Sequence, residues 1–149
     1  MTWKHLHRLE NACRGARFNR AHEILALMET SFERCWVLTQ NVDGFHRAAG
    51  SKIVRPDVVL FEEVLPRAKS ALLDQEVRRG FDVVFSIGTS SLFPYITAPV
   101  LMTSARRGTT VEINPARTSL SDVVDVRLAM GAVAASEALW AARDQWRHT

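Results

Sequence analysis

The sequence predicts an α/β protein in which helices cover a parallel β-sheet. Short apolar runs suited to buried strands occur at five places along the chain, and segments with helical character lie between them. The runs lack the polar alternation of half-exposed strands, and a near-continuous apolar pattern is typical of parallel strands buried on both faces. Strands that alternate with helices are also typical of parallel sheets, because each crossover needs a covering helix.

The five apolar runs are the predicted strands. They cover residues 35–40, 57–61, 81–87, 109–113 and 123–128. Gly88 closes the third run, and Asn114 with Pro115 closes the fourth. These residue types favour turns, so the strand ends are well marked.

The helices are predicted from their caps and their apolar spacing. Asn19 is a favourable N-cap for a helix over 20–30, because its side-chain oxygen can accept an otherwise unpaired backbone N–H. Further helices are predicted over 66–79, 94–107 and 132–146. Gly80 and Gly108 are expected to end the first two of these, and Pro99 to disturb the second. We expect a helical segment over residues 1–34 and a sheet-bearing part over 35–149, together in one compact unit.

Composition and charge exclude several classes of protein. The chain has 149 residues, 47% of them hydrophobic, which suits a single folded domain. Its net charge of +3 comes without a long run of like charges, so we expect no nucleic-acid partner. We expect neither a membrane span, which needs about 20 apolar residues, nor a secretory signal. The two cysteines, Cys13 and Cys35, are therefore expected to be reduced thiols in the cytoplasm, and no metal site is expected.

Polar, turn-forming residues follow three of the predicted strands. Gln40, Asn41 and Asp43 follow the first, Gly88, Thr89 and Ser90 the third, and Asn114 the fourth. Ligands of parallel sheets bind outside the carboxyl ends of the strands. A glycine there lets the backbone approach a phosphate, and amide or carboxylate side chains can hold ribose hydroxyls. Each cluster alone is more typical of a cap or turn, but three at strand ends favour a nucleotide site.

The sequences of several motifs resemble those of the sirtuin family of NAD-dependent protein deacylases. The signature segment is Thr39-Gln40-Asn41-Val42-Asp43-Gly44-Phe45-His46-Arg47-Ala48-Ala49-Gly50-Ser51. Further matches follow in the family's order at residues 55–61 with Glu63, at 88–90 and at 112–115, and residues 19–22 resemble the segment just upstream. The resemblance covers most of the chain from about Asn19 onward.

The resemblance implies a Rossmann-like domain that binds NAD and acts on an acyl-lysine protein or peptide. In the family, residues matching Gln40, Asn41 and Asp43 hold the nicotinamide ribose and carboxamide, and Asn41 and Asp43 have supporting catalytic roles. Residues matching Gly88, Thr89 and Ser90 contact phosphates and ribose, and the one matching Asn114 contacts the adenosine ribose. The segment of Val59, Phe61 and Glu63 would pair with the peptide as an added strand. The family reaction yields free lysine, nicotinamide and acyl-ADP-ribose.

Three departures from the family pattern set this chain apart. Nothing before residue 35 resembles the family's first strand and its Gly-Ala-Gly-x-Ser phosphate loop. Ser51 is followed by Lys52, so the His-Gly pair that carries the general base is absent, as is the zinc-binding small domain. Glu62 replaces a glycine of the peptide-binding segment. The histidine of the signature, His46, does not match the catalytic histidine and is not expected to replace it.

These departures leave the activity and the assembly open. The first alternative is a working deacylase or ADP-ribosyl transferase that uses a substitute base, with impaired turnover. The second is a non-catalytic remnant that binds NAD or serves as an interaction module. A third possibility is that it is a fragment of a longer gene product. In the family the missing strand lies between those matching residues 35–40 and 81–87, so we expect a rearranged sheet or a homo-oligomer that supplies a strand.

Overall fold

The computed structural model describes His7, Asn11 and residues 14–41, 43–54 and 67–147. The chain divides into two compact units, residues 1–70 and 71–149. The domain boundary expected after residue 34 stays a prediction. No helix among these residues has the length and apolar character needed to cross a membrane.

The described residues of the first unit include two helices and a short parallel pair of strands. Helix α1 is Arg20–Ser31, strand β1 is Val37–Leu38, helix α2 is Phe45–Ala48 and strand β2 is Ile53–Val54. Val37 pairs with Ile53 and Leu38 with Val54. The sequence did not predict β2, because two apolar residues between Lys52 and Arg55 carry no strand signal of their own.

Helix α1 begins as predicted at a side-chain cap. The Asn19 carboxamide oxygen accepts from the backbone N–H of Ala21 at 3.1 Å and of His22 at 3.4 Å. In return, His22 Nδ1 accepts from the Asn19 backbone N–H at 3.2 Å, which completes a capping box.

The expected helical segment over residues 1–34 is interrupted before Asn19. Residues 14–19 form a turn and an extended stretch, with Gly15 in the left-handed region at φ 77°.

Strand β1 is shorter than the predicted strand over 35–40. After Leu38, the hydroxyl of the buried Thr39 accepts from the Asn41 backbone N–H at 3.1 Å, a local bond that competes with strand pairing. The predicted strand over 57–61 lies outside the described residues.

The second unit contains a three-stranded parallel sheet, as the sequence predicted. Strands β3 (Val83–Ile87), β4 (Thr109–Ile113) and β5 (Val126–Leu128) pair in the order β3-β4-β5. All five residues of β3 are in register with β4, from Val83 opposite Thr109 to Ile87 opposite Ile113. The predicted strand over 123–128 begins later, because Val123 and Val124 donate their backbone N–H groups to Leu120 O within a turn.

Three helices accompany this sheet. They are α3 (Arg67–Arg79), which begins before the unit boundary, α4 (Pro94–Ala105) and α5 (Ala132–Arg147). Val111, Ile113 and Ala135 form a buried hydrophobic cluster, with Phe85, Ile87 and Leu128 packed against it. Residues 110–113 of β4 are all buried, which confirms the expectation of a strand covered on both faces for this strand. The expectation is wrong for the neighbouring strands β3 and β5, which are only partly buried and begin at the exposed Val83 and Val126.

The ends of α3 and α4 show two different uses of glycine. Gly80 follows α3 with φ 89°, and its N–H donates to Glu76 O, as predicted for a C-terminal stop. After α4 the left-handed residue is Arg107, at φ 62°, and not the predicted Gly108. Gly108 is required for another reason: a Cβ there would lie 2.6 Å from Thr103 Cγ2 and 2.9 Å from Phe81 O. Pro99 lies inside α4 without breaking it.

Candidate functional site

The two predicted binding loops of the second unit lie side by side. Their strands are adjacent and parallel, so both loops leave the sheet at the same edge. Asn114 Nδ2 donates to the Thr89 backbone oxygen at 3.0 Å. The backbone N–H of Gly88 donates to Ile113 O at 2.9 Å, which extends the strand pairing into the loop. The structure thus brings together Gly88, Thr89 and Asn114, three of the residues predicted from the sequence.

The loop after β3 is open on one side. Gly88 has φ 60°, and no heavy atom outside its chain neighbours lies within 4 Å of where its Cβ would be. Ser90 is exposed, whereas Ser91 is buried and also has a positive φ, of 55°. The Thr89 hydroxyl accepts from the Ser91 backbone N–H at 3.2 Å, and this contact stabilises the turn. Because Gly88 and Ser90 are exposed and Gly88 has no side chain, a phosphate or ribose could approach the backbone at this part of the loop.

Asn114 uses both ends of its carboxamide within the protein. Besides the bond to Thr89, its Oδ1 accepts from the Ala116 backbone N–H at 3.0 Å. Its own backbone N–H donates to Leu128 O at 3.1 Å. The residue is only 9% exposed. Asn114 therefore both shapes its own turn and fixes the neighbouring loop.

A buried carboxylate lies just before Asn114. Glu112 is 1% exposed, and it accepts hydrogen bonds from the hydroxyls of Thr118 and Ser121 and from Arg127 Nε at 3.2 Å. Burial by itself raises the pKa of Glu112, but the hydrogen bonds from Ser121 and Thr118 and the charge of Arg127 outweigh it and hold the pKa below its ordinary value. The group is consequently an anion at neutral pH.

The signature segment lies in the first unit and folds into a short turn and α2. Gln40 and Asn41 are exposed, and Asp43 is half-buried. Asp43 Oδ1 accepts from the Phe45 backbone N–H at 2.9 Å, and Gly44 between them has φ 76°. The exposed carboxamides of Gln40 and Asn41 could contact a polar ligand. The Asp43 carboxylate fixes the turn that leads into α2.

Two histidines pack together beside this turn. The rings of His22 and His46 are 4.7 Å apart edge to face, and the Nδ1 atom of His46 is buried without a hydrogen-bond partner. Burial and the neighbouring His22 lower the pKa of His46, against the smaller opposing effects of Asp43 and Glu29. His22 has a structural role at the N-terminus of α1, where it completes the capping box with Asn19.

The remaining site predictions have different outcomes. The peptide-binding residues Val59, Phe61 and Glu63 lie outside the described residues. Among the residues that the structure does describe, no group of three or more His, Cys, Asp or Glu side chains could hold a metal ion. Gln40, Asn41 and Asp43 belong to one unit and Gly88, Thr89, Ser90 and Asn114 to the other, so the predicted convergence of the two groups stays a prediction.

Comparison with known proteins agrees with these features. A model of the Sir2 family matches residues 1–54. The NAD-dependent protein deacylase 2 of Pseudomonas aeruginosa is 38% identical to this chain over 86% of the chain and 67% of its own length. The chain belongs to the Sir2 family. A second relative, the NAD-dependent protein deacylase 2 of Pseudomonas syringae pv. tomato, is 36% identical over 86% of this Sir2-family chain and 69% of its own length.

Solved structures confirm the Rossmann-like fold of the Sir2 family. A Sir2 homologue in complex with NAD superposes with a TM-score of 0.78 at 27% identity, over 85% of this chain and 65% of that one. A mutant Sir2 homologue with 2′-O-acetyl ADP ribose gives a TM-score of 0.77 at 27% identity, over 85% and 67% of the two chains. This Sir2-family chain thus spans about two thirds of the length of these relatives.

Sequence reasoning missed two contacts that shape the site regions. Glu29 of α1 binds the Ser51 hydroxyl and the Lys52 backbone N–H just before β2. Arg127 of β5 reaches the backbone oxygens of Asn114 and Ala116. Both contacts join residues that lie 11 to 23 positions apart in the sequence, so no local pattern could have revealed them.

Proposed function

We propose that this Sir2-family chain binds NAD and acts in protein-lysine deacylation with impaired turnover. The observation that carries the proposal is the hydrogen bond from Asn114 Nδ2 to Thr89 O, which joins the two strand-end loops of the second unit. The names of its relatives, which are NAD-dependent protein deacylases, support the same reaction. The space beside Gly88 suits the close approach of a nucleotide.

Each loop has a proposed contact. NAD, when bound, supplies the ADP-ribosyl group that accepts the acyl chain, with release of nicotinamide. Gly88, Thr89 and Ser90 would contact its phosphates and a ribose, and Asn114 the adenosine ribose. The exposed Gln40 and Asn41, with Asp43, would orient the nicotinamide ribose and carboxamide.

The impaired turnover follows from a missing general base. The sequence passes from Ser51 through Lys52 into β2, without the His-Gly pair of the family. Ser51 is buried and its hydroxyl is bound by Glu29, so it does not replace the base. General-base catalysis contributes about 10²–10⁴-fold to a rate, and we expect turnover to be reduced on that scale.

The proposed binding partners are inferred from the family resemblance. An acyl-lysine protein or peptide would bind along the segment of Val59, Phe61 and Glu63. We also propose that the chain acts as a homo-oligomer in the cytoplasm, without zinc.

Calorimetric titration of the full chain with NAD tests the binding step. We expect saturable binding that is weakened in Asn114→Ala and in Asn41→Ala, and unchanged in the control Asn11→Ala, whose exposed side chain lies in neither predicted loop. An acylated peptide should then release nicotinamide slowly. If millimolar NAD gives no binding heat, the cofactor proposal is wrong.

The second candidate is a non-catalytic NAD-binding or interaction module. Ser51 favours this second candidate. In the family the catalytic histidine follows the position of Ser51, but here Ser51 is buried and its hydroxyl is bound to Glu29. Saturable NAD binding without any peptide-dependent release of nicotinamide would support this candidate over the first.

A further inference from the structure

Arg127 connects a buried anion to the backbone of the Asn114 turn. Its Nε donates to Glu112 Oε2 at 3.2 Å, and its Nη2 donates to Ala116 O at 3.0 Å and to Asn114 O at 3.4 Å. The guanidinium thereby uses two of its nitrogens on three acceptors. Because its donors lie in a rigid planar fork, the anion on one side sets where the other side can bind.

Glu112 is held in place by more contacts than the one with Arg127. The carboxylate is 1% exposed and also accepts from Thr118 and Ser121, so its location does not depend on Arg127 alone. The Arg127 side chain is 22% exposed. A half-buried cation that is bound to a buried anion is held more tightly than a surface ion pair, which contributes little.

The turn that Arg127 holds is the one that orders both loops. Two carbonyl oxygens of residues 114–116 are bound by the guanidinium, while the Asn114 side chain spans from Ala116 N to Thr89 O. Loss of the guanidinium would free the backbone of the turn. The direction of the Asn114 side chain, and with it the loop of Gly88 and Thr89, would then be less well defined.

We infer that Arg127, anchored by the buried Glu112 carboxylate, is a positioning residue that orients Asn114 for the ribose of a bound nucleotide. The inference rests on the proposed function and names a residue that acts on the same site without touching the ligand.

The test is a double-mutant cycle on nucleotide affinity in the full chain. Calorimetry with NAD and with ADP-ribose would compare the wild type with Arg127→Met, Arg127→Lys and Asn114→Ala. We expect Arg127→Met to lower the affinity for both ligands about tenfold, which corresponds to about 1.4 kcal/mol of binding free energy. Arg127→Lys should recover part of this affinity. In the Asn114→Ala background, Arg127→Met should cause little further loss, because it acts through Asn114.

Arg117→Met is the matched control. Arg117 lies beside the same turn, but its side chain is 62% exposed and binds the exposed Asp122, so we expect wild-type affinity. Thermal unfolding of each variant verifies that the titrations are made on folded protein, and Arg127→Lys serves if Arg127→Met does not fold. Equal affinity in the wild type and the folded Arg127 variants, or losses that add fully in the double mutant, would overturn the inference alone. A wild-type chain that binds neither ligand would overturn the proposed function and this inference together.

Discussion

Gly108 is a residue whose role differs from the one that its type suggests. The sequence predicts a helix stop, but the structure uses the absence of a side chain to let three groups come close. A Cβ on Gly108 would lie 2.6 Å from Thr103 Cγ2, 2.9 Å from Phe81 O and 3.0 Å from Asp82 O. Two of these atoms belong to the backbone and cannot move aside easily.

We therefore expect Gly108→Ala to lower the free energy of unfolding by about 1–3 kcal/mol, as is typical of overpacking. The comparison variant is Gly131→Ala, because no atom lies within 4 Å of the Cβ position there. Gly131 precedes α5 and its carbonyl accepts from Ala135 N, so this variant should lose only the smaller free energy of a changed N-cap residue. Urea unfolding of both variants measures the difference. Equal stability losses in the two variants would contradict this account.

Protonation of His46 should lower the stability of the folded state. Its pKa is lowered mainly by burial and also by His22, although Asp43 and Glu29 act in the opposite direction. The native state therefore favours the neutral ring. The resulting stability is fully present above the unfolded pKa of about 6.5, and it is lost as the pH falls from there toward the folded pKa.

We expect the wild type to lose stability between pH 7.5 and 5.5 more steeply than His46→Gln does. Urea unfolding at several pH values gives the two slopes. His7→Gln is the control, since the His7 side chain is exposed, and it should keep the wild-type slope. A His46→Gln slope equal to that of the wild type would show that another group titrates.

At the scale of elements, helix α1 depends on its cap. Asn19 accepts from two backbone N–H groups, and His22 returns a bond to the Asn19 backbone. The helix carries Ala21 and Ile24, both buried. Fraying of the first turn would therefore loosen core contacts as well as backbone hydrogen bonds.

We expect Asn19→Ala to lower the free energy of unfolding by about 1 kcal/mol, and Asn19→Gly by only a few tenths. Chemical denaturation of both variants tests this order. If the alanine variant is as stable as the glycine variant, the side-chain cap does not contribute in the way that the geometry indicates.

At the scale of the whole molecule, the strand edges bear on assembly. Among the described residues, β3 and β5 each have a single hydrogen-bonded neighbour, and β1 pairs with β2 alone. Open strand edges tend to pair with other chains unless they are protected. Strand β3 contains no charged residue or proline that would discourage such pairing.

We therefore expect a homodimer, with a mass about twice the 16.7 kDa of the chain. Size-exclusion chromatography with light scattering at several concentrations gives the mass directly. A stable monomer at every concentration would contradict the prediction and would show that the strand edges are protected by other means.

The strand-end residues show how far the sequence could predict the site. Gly88 and Asn114 were predicted from turn-forming residues after apolar runs, and the in-register pairing of β3 with β4 brings their loops together. The contacts of Arg127 could not be predicted, because they depend on the pairing of β4 with β5. Strand β2 was missed because its two residues form a strand only through β1.

The sequence alone determined the alternation of strands and helices, the cap at Asn19 and the stop at Gly80, since each depends on neighbouring residues and on local hydrogen bonds. Family membership was also visible in its motifs. Only the tertiary structure decided that Arg107 and not Gly108 takes the left-handed conformation. It also decided that the carboxamide of Asn114 joins two loops. Such features arise from close approach between distant segments, and their energy depends on distances that no local pattern contains.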